Sequence, residues 1–148
     1  MNDTPWMDWL TSHVGEVEQT GSLATEFDRE IYSHTDFGSL KGIMEPGCAA
    51  TACAALEETG FTSPHSAAAI SFKDYGTPCD LSFGCIVVFE WENGENHVSF
   101  CNDLGDDDTI VICLGGNQAH EVKNSSFFRK FIIATRWPIK SLPGSTVK

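Results

Sequence analysis

The chain has 148 residues, 41% of them hydrophobic, with 21 acidic against 9 basic side chains for a formal net charge of −12 at pH 7. A domain of this length buries about two-thirds of the surface its unfolded chain would expose, which excludes intrinsic disorder and a small disulfide scaffold. The deficit of positive charge excludes a nucleic-acid binder, because there is little to displace counterions from phosphates.

The charge is unevenly divided. Residues 1–122 carry 3 basic and 21 acidic side chains, a balance of −18, whereas residues 123–148 carry Lys123, Arg129, Lys130, Arg136, Lys140 and Lys148 and no acid, a balance of +6. Such a strip either meets a substrate or pairs with the protein's own acidic face. No run approaches the roughly 18 apolar residues of a membrane span, and the longest β-rich apolar run, 85–89, is strand-sized. Asp3 and Asp8 precede the first basic residue, Arg29, the reverse of a secretory signal. The expectation is a soluble protein made in the cytoplasm without a signal peptide. The six cysteines, Cys48, Cys53, Cys79, Cys85, Cys101 and Cys113, contain no C-x-x-C pair and read individually.

In chain order, Thr4 before Pro5 reads as an N-cap with proline at the first helical position, and Trp6, Leu10 and Val14 recur at i+4 before Gly15. Phe27 and Ile31 suggest a helix near 25–33, in a region broken by Gly21, Gly38 and Gly42. Helix formers fill 48–59 between Pro46-Gly47 and Gly60. Ser63 and Pro64 open a further expected helix running to Tyr75, with Gly76 behind it. After Cys79 the pattern turns strand-like over 84–91, 96–102, 109–114 and 130–137. The short links at Asn93-Gly94 and 103–108 imply antiparallel neighbours. Helices followed by a meandering sheet predict an α+β domain over 1–140, with 141–148 a flexible tail.

Three residues stand in an order that suits thiol chemistry: Cys48 opening a helix, His97 opening a strand, and Asn117 just after the next strand. A helix N-terminus lowers a thiol pKa, a histidine in reach takes its proton, and an amide orients the ring. The strands 96–102 and 109–114 can pair as a hairpin that returns Gly115-Gly116-Asn117-Gln118 beside His97. Each residue also has a plain structural reading: Cys48 as a small core residue, His97 as a solvated residue after a turn, Gly115-Gly116 as a bulge or turn. Asp103, Asp106, Asp107 and Asp108 do not alternate as a calcium loop does, and read as a solvated hairpin tip.

The segments PWMDWLTSHVGEVEQTG (5–21), EPGCAATACAALEETGF (45–61), SAAAISFKDYG (66–76), FGCIVVFEW (83–91), HVSF (97–100), LGGNQ (114–118) and RWP (136–138) carry a resemblance. In order and over nearly the whole domain, the chain resembles a bacterial and phage family of small cysteine hydrolases related to the NlpC-type and CHAP-type peptidoglycan amidases and endopeptidases. The resemblance implies a papain-like fold, with N-terminal helices packed on a central antiparallel β-sheet. It makes Cys48 the nucleophile, His97 the general base and Asn117 the orienter of the imidazole. Gln118 is the second candidate for that third role, and His65 is a candidate for lining the groove. The backbone N–H of Cys48 would help hold the oxyanion.

Three positions depart from the family pattern: Gly47 replaces an aromatic residue, Asn96 a glycine before the histidine, and Ser99 a glycine two residues after it. The implied reaction is hydrolysis of an amide of the peptidoglycan peptide stem, within the stem or where it joins the glycan, without cofactor or metal. The implied delivery is as an antibacterial effector of a contractile (type VI) secretion system or as a phage lysin (endolysin), acting in the periplasm or cell wall of a target cell. Implied partners are the stem itself and an immunity protein or a component of the secretion apparatus, with the chain a monomer. Two other functions share these residues: a non-catalytic peptide- or partner-binding protein on the same fold, and a cysteine peptidase or deamidase acting on proteins. If the protein matures in a periplasm, Cys101 and Cys113, on adjacent predicted strands, are the pair to check for a disulfide.

Overall fold

The computed structural model describes residues 3–16, 26–36, 47–118 and 121–142. Pro5–Ser12 forms α1, with Pro5 in the first turn, where its missing N–H removes no hydrogen bond. Glu26–Tyr32 forms α2 and Cys48–Glu57 forms α3. Six strands, β1 (Thr77–Pro78), β2 (Ile86–Glu90), β3 (Asn96–Asp103), β4 (Ile110–Gln118), β5 (Glu121–Phe128) and β6 (Ile132–Trp137), pair antiparallel in the order β1-β6-β2-β3-β4-β5. The described chain is therefore α+β, three helices with one six-stranded sheet.

Period-two alternation sends the two faces of the sheet into different cores. Ile86, Val88, Val98, Phe100, Leu114 and Val122 pack with the helices, whereas Cys85, Val87, Phe89, Cys101, Val111 and Cys113 form a second cluster with Trp91, Phe127 and Phe131. Helix α3 is buried along nine of its ten residues, which explains why it is apolar nearly all round. Its alanines let the backbone lie close on β3 and β4. Trp6 closes one end of this core: fully buried, it donates from Nε1 to the Gly84 carbonyl (2.8 Å) and meets Phe61 and Trp137 edge-on.

The expected helix from Ser63 to Tyr75 is not formed; only Ala69–Phe72 makes a short 3₁₀ turn. The Ser63 hydroxyl, read as an N-cap, instead donates to Glu57 (2.6 Å) and accepts the His65 N–H (2.9 Å). His65 adopts φ 54° and Ala68 is extended, neither compatible with a continuous helix. At the far end Arg136, from the RWP segment, donates to the carbonyls of Tyr75 (2.6 Å) and Gly76 (2.9 Å) and so holds the loop against β6. Gly76 sits at φ +75°, where a Cβ would strike the Trp137 carbonyl oxygen.

Strand β5 was not expected, and β4 runs on through Gln118, where the sequence suggested a turn. Register shifts between Gly115 and Gln118, so the Gly-Gly-Asn-Gln segment is a bulged strand end and not a free loop. Asp103 and Asp107 accept the N–H groups of Gly105 and Thr109 two residues on, so they cap their own hairpin tip. Residues 143–148 of the expected tail lie outside the described residues; Ser141 donates to the Gly60 carbonyl (3.0 Å). No described helix is long and apolar enough to cross a membrane.

A polar knot fastens α2 to the C-terminal end of α3. His34 places Nδ1 2.9 Å from Glu57 Oε1 and Nε2 3.0 Å from Glu58 Oε2. Carboxylates only accept, so both ring nitrogens carry hydrogen and His34 is imidazolium. Its pKa is raised, first by the hydrogen bond to Glu57. Burial alone would raise Glu57, but hydrogen bonds from His34, Ser63 and His65 outweigh it and hold the carboxyl below its ordinary value. Glu30 is pushed up to about 7, chiefly by sharing a hydrogen bond with Glu58.

Candidate active site

Cys48 is the first residue of α3, and His97 is the second of β3. Both line one cavity of about 590 Å³, together with Asn117 and Gln118 from the end of β4. Positions 48, 97, 117 and 118, scattered over 70 residues, thus meet at one place. Gly47, at the N-cap of α3, has no side chain to bond the first-turn N–H groups. That helix end presents its partial positive charge beside the thiol.

The hydrogen bonds around Gln118 determine the state of the imidazole. Gln118 Nε2 donates to two main-chain carbonyls, Cys113 O (3.1 Å) and Lys123 O (2.6 Å). A carbonyl cannot donate, so the amide has one orientation, and Oε1 is the end that faces His97 Nε2 at 3.2 Å and accepts the Ser99 hydroxyl at 2.7 Å. An amide oxygen in turn only accepts, so the hydrogen of neutral His97 resides on Nε2. Nδ1 is then the unprotonated nitrogen, the ring atom able to take a proton from a thiol. Desolvation lowers the His97 pKa, and the Gln118 hydrogen bond partly offsets it.

Aromatic rings complete the casing. His97 lies 6.0 Å from Trp91 in a stacked arrangement, 5.4 Å from Phe127 and 6.1 Å from Phe89. Ser99 fits only because position 115 is glycine: a Cβ there would collide with the Ser99 hydroxyl and press on Gln118 Oε1. The first glycine of the Gly-Gly-Asn-Gln segment is thus a requirement of the hydrogen-bond network and not of a turn. Ser99 belongs to the network itself.

Of the residues singled out in the sequence, Cys48, His97, Asn117 and Gln118 share the cavity. Gln118 holds the ring, and Asn117 stands on the cavity wall at φ 52°. His65 is elsewhere: its Nδ1 donates to Glu57 (3.0 Å) near the opposite end of α3. Trp91, Glu95, Ser99, Ser125 and Phe127 were not anticipated as site residues. Ser99 was detectable as the i+2 neighbour of His97 on one strand face, whereas Ser125 and Phe127 belong to the unread strand β5.

None of the other five thiols lines this cavity. Burial pushes Cys53 and Cys79 up to about 11 and raises Cys113; a hydrogen bond between Cys85 and Cys101 raises Cys85 and lowers Cys101, which is fully buried. Cys101 and Cys113 are register partners on β3 and β4, and both are free thiols. In the C-terminal strip Arg129 donates to the Ile110 and Leu104 carbonyls, and Lys130 lies over the Phe128 and Phe131 rings. The ion pairs among the described residues all join histidine to glutamate. Among those residues no group of three or more His, Cys, Asp or Glu is placed to hold a metal ion. No family model, curated protein or solved structure matches the chain.

Proposed function

We propose that the protein is a cysteine hydrolase of papain-like, NlpC/CHAP-type architecture that cleaves an amide bond of the peptidoglycan peptide stem in the wall of a target cell. The observation that carries this reading is that Cys48, at the start of α3, and His97, whose tautomer Gln118 dictates, line one open cavity. The stem as substrate rests on the motif resemblance, which also supports delivery as an effector or a lysin.

In the proposed reaction His97 Nδ1 takes the proton of the Cys48 thiol as Sγ attacks the amide carbonyl carbon. Negative charge on the tetrahedral oxygen is met by the Cys48 backbone N–H at the start of α3. The imidazolium keeps its Nε2–H on Gln118 and passes the Nδ1 proton to the departing amine, leaving a thioester. Water, deprotonated by His97, then attacks the thioester carbonyl, releasing a carboxylate and restoring the thiol. Gln118 touches no reacting atom in this scheme and is a positioning residue.

The test is digestion of purified sacculi with mass spectrometry of the released muropeptides. The unsubstituted chain is expected to release fragments with a new carboxylate and amine at one bond. Cys48→Ala and His97→Ala, folded as judged by circular dichroism, are expected to release none. Undiminished cleavage by either variant contradicts the assignment.

A further inference from the structure

Four cysteines that the proposed reaction leaves unused gather in the second core, on the face of the sheet away from the helices. Cys85, just before β2, Cys101 on β3 and Cys113 on β4 are fully buried in one apolar cluster. Cys79, just after β1, packs against that cluster and is itself part-exposed. The thiols are in contact: Cys79 hydrogen-bonds with Cys85, and Cys85 with Cys101.

A bulge holds the second of these pairs together. The Gly84 N–H donates to the Cys101 carbonyl (2.7 Å) and the Cys101 N–H donates to the Cys85 carbonyl (2.9 Å), so Gly84 and Cys85 together oppose Cys101. Gly84, at φ +88°, supplies the left-handed conformation that such a bulge needs at its first position. The Cys85 side chain is thereby left beside Cys101 on one face of the sheet. Cys113 is the register partner of Cys101 on the other side, but its thiol is engaged by the Ser99 hydroxyl.

We infer that Cys85 and Cys101 are a redox modification site, closed to a disulfide between β2 and β3 by exchange with a low-molecular-weight disulfide, with Cys79 as the thiol of entry. The Cys79 thiolate attacks one sulfur of the external disulfide RSSR and expels RS⁻. Cys85 attacks Cys79 Sγ and expels the second RS⁻, and Cys101 then attacks Cys85 Sγ and returns Cys79 to a free thiol. The protons of Cys85 and Cys101 end on the two departing thiolates, so RSSR is reduced to two RSH as the pair is oxidised. Burial holds the Cys79 thiol at about 11, so entry is slow near neutral pH and quickens as pH rises. The bond joins neighbouring strands and limits the unfolded chain between residues 85 and 101, which stabilises the oxidised form.

The reduced, folded chain is incubated with oxidised glutathione at pH 8, quenched with N-ethylmaleimide, digested with Glu-C and chymotrypsin, and its disulfides are mapped by mass spectrometry. The expected product is a peptide pair joined through Cys85 and Cys101, formed about tenfold more slowly in Cys79→Ser. The oxidised chain is expected to unfold at higher urea than the reduced one. A main product joining Cys101 to Cys113, glutathione retained on Cys79, no disulfide in the folded chain, a rate unchanged by Cys79→Ser, or an oxidised chain less stable than the reduced one overturns the inference.

Discussion

Gln118 Oε1 lies 3.2 Å from His97 Nε2, and the same amide is anchored through Nε2 to the carbonyls of Cys113 and Lys123. Two residues 21 positions apart are thereby locked in one relative orientation, with the imidazole proton assigned by geometry. The amide that fixes the ring is itself fixed by main chain that the sheet cannot easily move.

Gln118→Leu should therefore lower kcat by about 10²-fold or more while changing KM little, because the ring loses its orientation and its preferred tautomer. Removal of the one contact that raises the His97 pKa should also move the acid limb of the rate profile to still lower pH. Steady-state rates measured across pH on a soluble stem peptide check both. A rate loss expressed only in KM contradicts a positioning role.

The space at position 115 makes a second prediction. Gly115→Ala forces a Cβ into the Ser99 hydroxyl and should destabilise the protein by about 1–3 kcal/mol, with loss of activity. Ser99→Gly vacates that space, so the double variant should be more stable than the sum of the single changes allows. Urea unfolding of the four chains measures the coupling, and strict additivity contradicts it.

The His34 clamp gives a pH-dependent stability whose sign follows from its partners. A raised histidine pKa contributes stability that is complete below the unfolded value of 6.5 and lost as pH rises through the higher folded value. The lowered Glu57 contributes above its unfolded value of 4.5 and loses that contribution as pH falls through the folded one. His34→Ala should therefore cost most, about 1 kcal/mol, between pH 4.5 and 6.5, and less toward pH 8. Thermal unfolding of the two chains at several pH values tests this, and a gap independent of pH contradicts it.

Much of this architecture was legible in the sequence where local chemistry and tertiary packing agree. Pro5 starts α1, Gly60 follows α3 at φ +94°, the β-branched runs form β2, β3 and β6, and β2 and β3 pair antiparallel as expected. The failures fall where the partner is remote. Ser63-Pro64 carries the punctuation of a helix start, but Glu57 takes the serine hydroxyl and Arg136 takes the carbonyls at the other end. Strand β5 reads Glu-Val-Lys-Asn-Ser-Ser before its phenylalanines, a polar edge whose alternation is only half apolar. In the site, the order Cys48, His97 and the 115–118 segment was readable. Which amide reaches the ring was not, because it depends on the bulge between Gly115 and Gln118.

The central claim is that Cys48 is a thiol activated by its helix and by His97, and its alkylation rate tests this most directly. Iodoacetamide labelling near neutral pH, followed by peptide mass spectrometry, reports all six cysteines at once. The account predicts that Cys48 reacts at least about tenfold faster than Cys53, Cys79, Cys85, Cys101 and Cys113, and that His97→Ala removes most of that advantage. Equal labelling of Cys48 and the exposed fraction of Cys79, or a Cys48 rate unchanged by His97→Ala, would contradict it.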